Sequence, residues 1–267
     1  MVIDMGEVNV LFFFILCLLV YGVSLLTFFS GFGLGTLLLP FIALFFPIEI
    51  AIIYTALIHF LNNIWKMILL RKSISLKVVL LFGLPAIGGA ILGASLLVYL
   101  SELEPIYTYE VFEYPLSITF VKLIIGLILI LIGFNELTGL VKAEKIIIQH
   151  VPFGGLVSGF FGGLSGLQGA FRSYFLINLG LDKYGFIASS AVIAFLVDLS
   201  RLTIYLTSFQ KIIQMSQPLL GTIIIFAALL GILTGNLLLE KVKMESIHNF
   251  VSYLLVFIGS VLSLGVI

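Results

Sequence analysis

Apolar residues run along this chain in blocks of about 20, the length that crosses a hydrocarbon core of roughly 30 Å. Reading the runs between breaks predicts ten segments: roughly 8–29, 32–46, 48–70, 77–100 and 117–138, then 146–162, 165–180, 185–208, 218–239 and 247–266. Period-two alternation is missing, so the blocks read as helices and not as barrel strands. Eight segments are long; the second and seventh are short. Either both short ones cross, giving ten spans, or both are re-entrant, giving eight. With ten crossings and the N-terminus outside, Arg71, Lys72, Lys77, Lys142, Lys145, Lys183, Lys241 and Lys243 fall on inner loops and only Lys211 falls outside. Eight crossings would move Lys183, Lys241 and Lys243 outside. The positive-inside rule therefore favours ten.

The halves repeat. A shift of 135 residues lays Ser30-Gly31 on Ser165-Gly166, Thr55-Ala56 on Ser190-Ala191 and Phe60-Leu61 on Phe195-Leu196. It also lays Asn63 on Asp198 and Lys66 on Arg201, and further on Gly89 and Gly93 correspond to Gly231 and Gly235. Five segments per half is an odd number, so the second copy is inverted relative to the first. Inverted repeats with broken helices near the midplane are a recurrent architecture of secondary transporters. The expected fold is thus an all-α integral membrane protein with two inverted five-segment repeats, about 8–138 and 146–266, forming a single transmembrane domain over 1–267.

Composition narrows the function classes. The chain is 61% hydrophobic and 10% charged, whereas a soluble domain carries about 25% charged residues. Its net charge of zero gives no sign of nucleic acid as a partner. Asp4 and Glu7, with no basic residue near them, argue that the first block is a retained span and not a signal peptide. The single cysteine, Cys17, lies in an apolar run, so neither a disulfide framework nor a thiolate site is expected. There is no HExxH and no Walker A sequence, and neither a cofactor nor a metal is expected. Gly163-Leu164-Ser165-Gly166 spells GxSG, which accompanies some intramembrane serine nucleophiles, but the only later histidine is His248 at the rim of the last segment. An enzyme is not expected.

The candidate chemistry sits at two glycine clusters. The first half has Gly31, Gly33 and Gly35, flanked by Ser30 and Thr36; the second has Gly162, Gly163, Gly166 and Gly169, flanked by Ser165, Gln168 and Arg172. Glycine permits unwound backbone, which is tolerated at membrane depth only where protein covers it or it lines a cavity. The helix that resumes beyond such a break offers free N–H groups to an anion. The competing reading is close helix packing, and Gly155, Gly159 and Gly163, four apart, support it for their own face. Arg172 lies six residues into a short segment, where a charge is costly unless paired or functional. A guanidinium can bond two oxygens of one oxyanion.

The third segment of each half supplies a polar stripe. Thr55, His59, Asn62, Asn63 and Lys66 recur at spacings of three and four, and Ser190, Asp198 and Arg201 follow in the repeat. Asp198 and Arg201 are three apart and able to neutralise each other. Lys66 reads either as part of the stripe or as an interfacial anchor, one turn from Arg71.

SGFGLGTLLLP followed by AIIYTALIHFLNN, echoed by GGLSGLQGAF followed by ASSAVIAFLVDLSR, resembles the TauE/SafE family of sulfite-exporter-like permeases. That resemblance implies a multi-pass transporter of sulfur oxyanions, organosulfonates or related small anions, in either direction. The second half departs from the family pattern, with FRSYFLINLG lacking a proline equivalent to Pro40. The combined expectation is a cell-membrane secondary transporter of small anions working by alternating access. The alternatives are an anion channel or a non-transporting membrane protein, and a homodimer is open. The anion is expected near the midplane between the two breaks. Ser30, Gly31, Gly33, Gly35, Thr36, Ser165, Gly166, Gln168 and Arg172 would bind it, with His59, Asn62, Asn63, Asp198 and Arg201 lining the cavity.

Overall fold

A computed structural model of the chain describes residues 10–30, 34–140, 150–176, 179–210, 218–238 and 244–267. Within these, side chains are described for 14–25, 35–140, 150–176, 179–210, 221–234 and 249–267. The chain is mostly helical. The first half holds α1 (Val10–Ser30), α2 (Leu34–Ala43), α3 (Ile48–Leu69), α4 (Leu76–Ser101) and α5 (Phe120–Thr138). The second holds α6 (Val151–Ser165), α7 (Gln168–Leu176), α8 (Lys183–Ser208), α9 (Pro218–Leu238) and α10 (Met244–Ser263). A two-stranded hairpin, β1 (Tyr107–Val111) and β2 (Tyr114–Ile118), lies between α4 and α5.

Of the described helices, α3, α4, α5 and α8 are long and apolar enough along their described length to cross a membrane. Exposed side chains such as Leu84, Leu92, Leu131 and Phe257 are large and apolar, a surface suited to lipid and not to water. At 1.5 Å per residue, α2 and α7 are about 15 Å long, half of what a crossing needs. Both short segments expected from the sequence are therefore real helices, and neither spans a bilayer as helix alone.

Local sequence explains the boundaries. Asp182 caps α8 by accepting from the Gly185 N–H at 2.9 Å, and Thr119 caps α5 by accepting from the Lys122 N–H at 3.2 Å. α5 ends at Gly139 and α6 at Gly166, both left-handed, with φ of 61° and 82°. Inside α4, Val79–Gly83 forms a π-helical turn.

The chain forms two compact units, and each draws segments from both halves of the sequence. The first comprises residues 1–54, 99–140 and 211–267. Within it α1 packs on α9, with Gly231 against the Tyr21 carbonyl. In the same unit α5 packs on α10, with Gly126 against the Gly259 carbonyl and Gly133 against that of Ser252. The second unit comprises residues 55–98 and 141–210, which is α3 from Thr55 onward, most of α4, and α6 to α8. Its apolar core gathers Phe82, Ala86, Ala90, Val151, Ile193 and Val197. Here α4 and α6 are notched into each other. A Cβ on Gly155, Gly159 or Gly163 would strike the carbonyl of Phe82, Ala86 or Ala90, and one on Gly89 or Gly93 would strike that of Leu156 or Phe160. The small-residue stripe expected on α6 is a packing face, and the Gly89/Gly93 pair packs within one chain.

Candidate functional site

The polar residues of the second unit converge on one carboxylate. On α8, Asp198, Arg201 and Tyr205 follow at intervals of three and four, so they share a face; all three are fully buried. Asp198 Oδ1 accepts from Arg201 Nε at 3.0 Å and Nη2 at 2.7 Å. It also accepts from Gln168 Nε2 at 3.3 Å. Asp198 Oδ2 accepts from His59 Nδ1 at 2.6 Å and from Asn63 Nδ2 at 3.2 Å, both supplied by α3. A buried carboxylate is stable only when paired and hydrogen-bonded. Asp198 has five donors.

The α6–α7 break stands beside this network. The left-handed Gly166 closes α6 by donating its N–H to the Gly162 carbonyl at 2.8 Å. The Leu167 N–H goes to Ser165 Oγ at 3.4 Å, and Ser165 Oγ donates to the Phe161 carbonyl at 3.0 Å. Tyr205 donates its hydroxyl to the Gly163 carbonyl, one of the orphan acceptors that every helix C-terminus leaves. Ser158 Oγ donates to the Gln168 carbonyl at 3.2 Å, which ties the first residue of α7 to α6. A Cβ on Gly166 would meet Arg201 Nη1, so this glycine is needed both for its φ and for the guanidinium lying against it.

Gln168 links the network to α7. While its amide nitrogen bonds Asp198, its Oε1 accepts from Arg172 Nη1 at 3.3 Å. Not every donor is used. Among the described residues, Arg201 Nη1 and Arg172 Nε are buried and have no hydrogen-bond partner, and the same holds for Thr55 Oγ1 and Ser190 Oγ. Guanidinium nitrogens donate and cannot accept, so the two arginines present unfilled positions for an acceptor. Charge points the same way. Among the described residues of this network, Arg172 and Arg201 are two cations against the one carboxylate of Asp198.

Of the candidates named from sequence, this unit brings His59, Asn63, Gln168, Arg172, Asp198 and Arg201 into one bonded network, with Ser165 and Gly166 at its edge. Asn62 is buried beside it on α3. Gly35 and Thr36 are buried in α2, in the first unit. Gly31, Gly33 and the Ser30 side chain lie outside the described residues. Two participants escape a reading from sequence, Tyr205 and Ser158. For Tyr205 a signal is present: it continues the Asp198–Arg201 face by one more turn.

Neither a curated protein nor a solved structure gives a significant match to the chain. A family model does. It is described as sulfite exporter TauE/SafE and matches residues 14–262, which takes in both units and the whole Asp198 network. With that match over nearly its full length, on a chain that carries apolar helices long enough to cross a membrane, the chain belongs to the TauE/SafE sulfite exporter family.

Proposed function

We propose that the chain is a cell-membrane secondary transporter of small sulfur-containing oxyanions or organosulfonates. In this reading the anion is held at the α6–α7 break by Arg201 and Arg172. One observation carries the reading: the fully buried Arg201, forked onto Asp198, keeps Nη1 without a partner beside Gly166. A buried donor left unsatisfied costs about 1–3 kcal/mol. An oxyanion bridging Arg201 Nη1 and Arg172 Nε relieves two such costs at once and offsets the excess positive charge. A sulfonate or sulfite group has the several oxygens this requires, and a carboxylate with two is the smallest competitor. Gln168, bonded to both Arg172 and Asp198, sets the distance between the two cationic groups.

Alternating access is proposed on the sequence repeat, whose copies would be inverted if the segments of α2 and α7 complete a crossing. Two buried hydroxyls without partners, Thr55 on α3 and Ser190 on α8, occupy positions that the repeat relates, which supports the same reading. Ser30, Gly31, Gly33, Gly35 and Thr36 are proposed as the anion-facing break of the first half on the repeat alone.

The test is counterflow in proteoliposomes over a panel of sulfite, sulfate, methanesulfonate and isethionate. Saturable uptake of at least one is expected. Arg172→Gln, with a normal elution profile in detergent, should lower it by about tenfold or more, the equivalent of one charged hydrogen bond. Undiminished uptake by a folded Arg172→Gln would remove Arg172 from the site.

A further inference from the structure

We infer that His59 is a proton-binding site coupled to the anion, so that a proton held on His59 Nε2 crosses with the anion. This rests on the transporter proposed above. His59 is buried on α3, and its Nδ1 lies 2.6 Å from Asp198 Oδ2, across a sequence separation of 139. An ionised carboxylate has only lone pairs to offer. Nδ1 must therefore carry hydrogen, which leaves Nε2 as the basic nitrogen of the neutral ring. Asn63 Nδ2 is 3.1 Å from Nδ1 and 3.2 Å from Oδ2. With Nδ1 already donating, the amide hydrogen goes to Oδ2 and helps hold the carboxylate square to the ring.

The other groups here are poorly placed to carry a proton. Asp198 accepts five hydrogen bonds, two of them from a guanidinium fork, and protonating it forfeits the charge-assisted ones. Arginine stays charged. The Tyr205 hydroxyl is committed to the Gly163 carbonyl. Of these groups, His59 alone has a nitrogen that can take a proton while its existing bond to Asp198 is kept, and indeed strengthened.

The coupling follows from the charges around the ring. Asp198 and Arg201 face it from α8 and Arg172 from α7, with Gln168 between them, while Asn63 and Lys66 share its own helix. Protonating His59 with no anion bound sets a third cation, beside Arg201 and Arg172, against one carboxylate, and at low dielectric such a charge is expensive. An anion on Arg201 and Arg172 lifts that expense. By linkage the proton then favours the anion by the same factor. Each of the two therefore binds more tightly when the other is present, which is the coupling that cotransport requires.

The experiment uses purified protein in liposomes holding a pH-sensitive dye. Its probes are methanesulfonate, isethionate and sulfate, which do not themselves take up protons near neutral pH. An inward gradient of a transported probe should acidify the interior at a fixed ratio of protons to anions, and His59→Gln should lower that ratio at least tenfold, whatever flux remains. Nitrogen NMR of the three histidines in the wild-type chain supplies a readout that does not depend on the variant folding. At constant pH, adding the probe should protonate the ring that His150→Gln and His248→Gln leave in place. Wild-type anion flux without proton movement, or a His59→Gln protein that keeps the wild-type ratio, overturns the coupling and leaves the transporter standing. If no anion in the panel moves, both readings fall together.

Discussion

Asp198 and Arg201 are bound as a fork onto a single oxygen: Oδ1 receives both Nε, at 3.0 Å, and Nη2, at 2.7 Å. That arrangement turns the third guanidinium nitrogen, Nη1, away from the carboxylate and against Gly166, where it is buried and has no partner among the described residues. The carboxylate thus neutralises the cation without using up its donors. Removing the carboxylate should be severe. Asp198→Ala leaves a wholly buried arginine uncompensated, at a cost of about 3–5 kcal/mol. Thermal unfolding in detergent, followed by size exclusion, should show a large loss for Asp198→Ala. The double variant Asp198→Ala with Arg201→Met should recover part of it, because the orphaned charge has gone. Equal stability of Asp198→Ala and wild type would mean that the pair is not buried in the working protein.

Arg201→Lys separates charge from geometry. Lysine keeps the positive charge, but it has one compact head group and cannot bond Asp198 from two nitrogens while turning a third to the break. The expected result is a folded protein whose KM for the transported anion rises about tenfold, or roughly 1.4 kcal/mol of lost binding. A KM unchanged in Arg201→Lys would place the anion elsewhere.

Gly166→Ala tests the break itself. The residue sits at φ 82°, and its new methyl would press on Arg201 Nη1. The backbone strain costs about 1–2 kcal/mol. The guanidinium, a side-chain end, is what gives way, so transport should suffer more than stability. Pairing Gly166→Ala with Arg201→Lys should then cost less transport than the two single losses combined, since both disturb one group. Strict additivity would show that Gly166 acts on something other than Arg201.

How far these features are legible in the sequence depends on whether they are local. Helix ends marked by glycine are visible: the short helices α2 and α7 fall beside the glycine clusters, although α6 runs on to Ser165 where the apolar run reads as ending at 162. The Asp198–Arg201 pair is visible because a spacing of three on one helix fixes the two as neighbours. That His59 is the other ligand of Asp198 is not, although each residue stands out by itself, because helical periodicity gives a face and not the helix that covers it. The β-hairpin escapes for a different reason. Glu102, Glu104, Glu110 and Glu113 make that stretch read as a polar loop, while Tyr107, Tyr109, Val111 and Tyr114 carry the strand signal within it. Residues 117 and 118 accordingly read as the start of the following helical segment, and belong to β2 in the structure.

Tyr205→Phe isolates a single hydrogen bond. The hydroxyl closes the last turn of α6 through the Gly163 carbonyl, so its loss leaves a buried acceptor unsatisfied. About 1–3 kcal/mol of stability should go, with the ring volume kept and no charge changed. Hydrogen exchange should rise first in α6 near Gly163, and a uniform rise along α8 would indicate instead that Tyr205 works by packing alone.

The notched contact of α4 and α6 gives the last test, in which two glycines on neighbouring positions have opposite outcomes. An alanine at Gly89 would drive its methyl into the Leu156 carbonyl, and one at Gly159 would drive it into that of Ala86. Both obstacles are backbone and cannot swing aside, so the helices must separate along their length. Overpacking of this kind costs about 1–3 kcal/mol. Gly88 has nothing within 4 Å of where its methyl would go. Gly88→Ala should therefore keep stability or raise it by up to about 1 kcal/mol, while Gly89→Ala and Gly159→Ala lower both the unfolding temperature and the folded yield. Because α6 leads directly into Gly166, the two damaging variants should also weaken anion uptake without touching any group that binds it. If all three variants behave alike, α4 and α6 are not in the close register that brings Gly163 and the α6–α7 break up to Arg201.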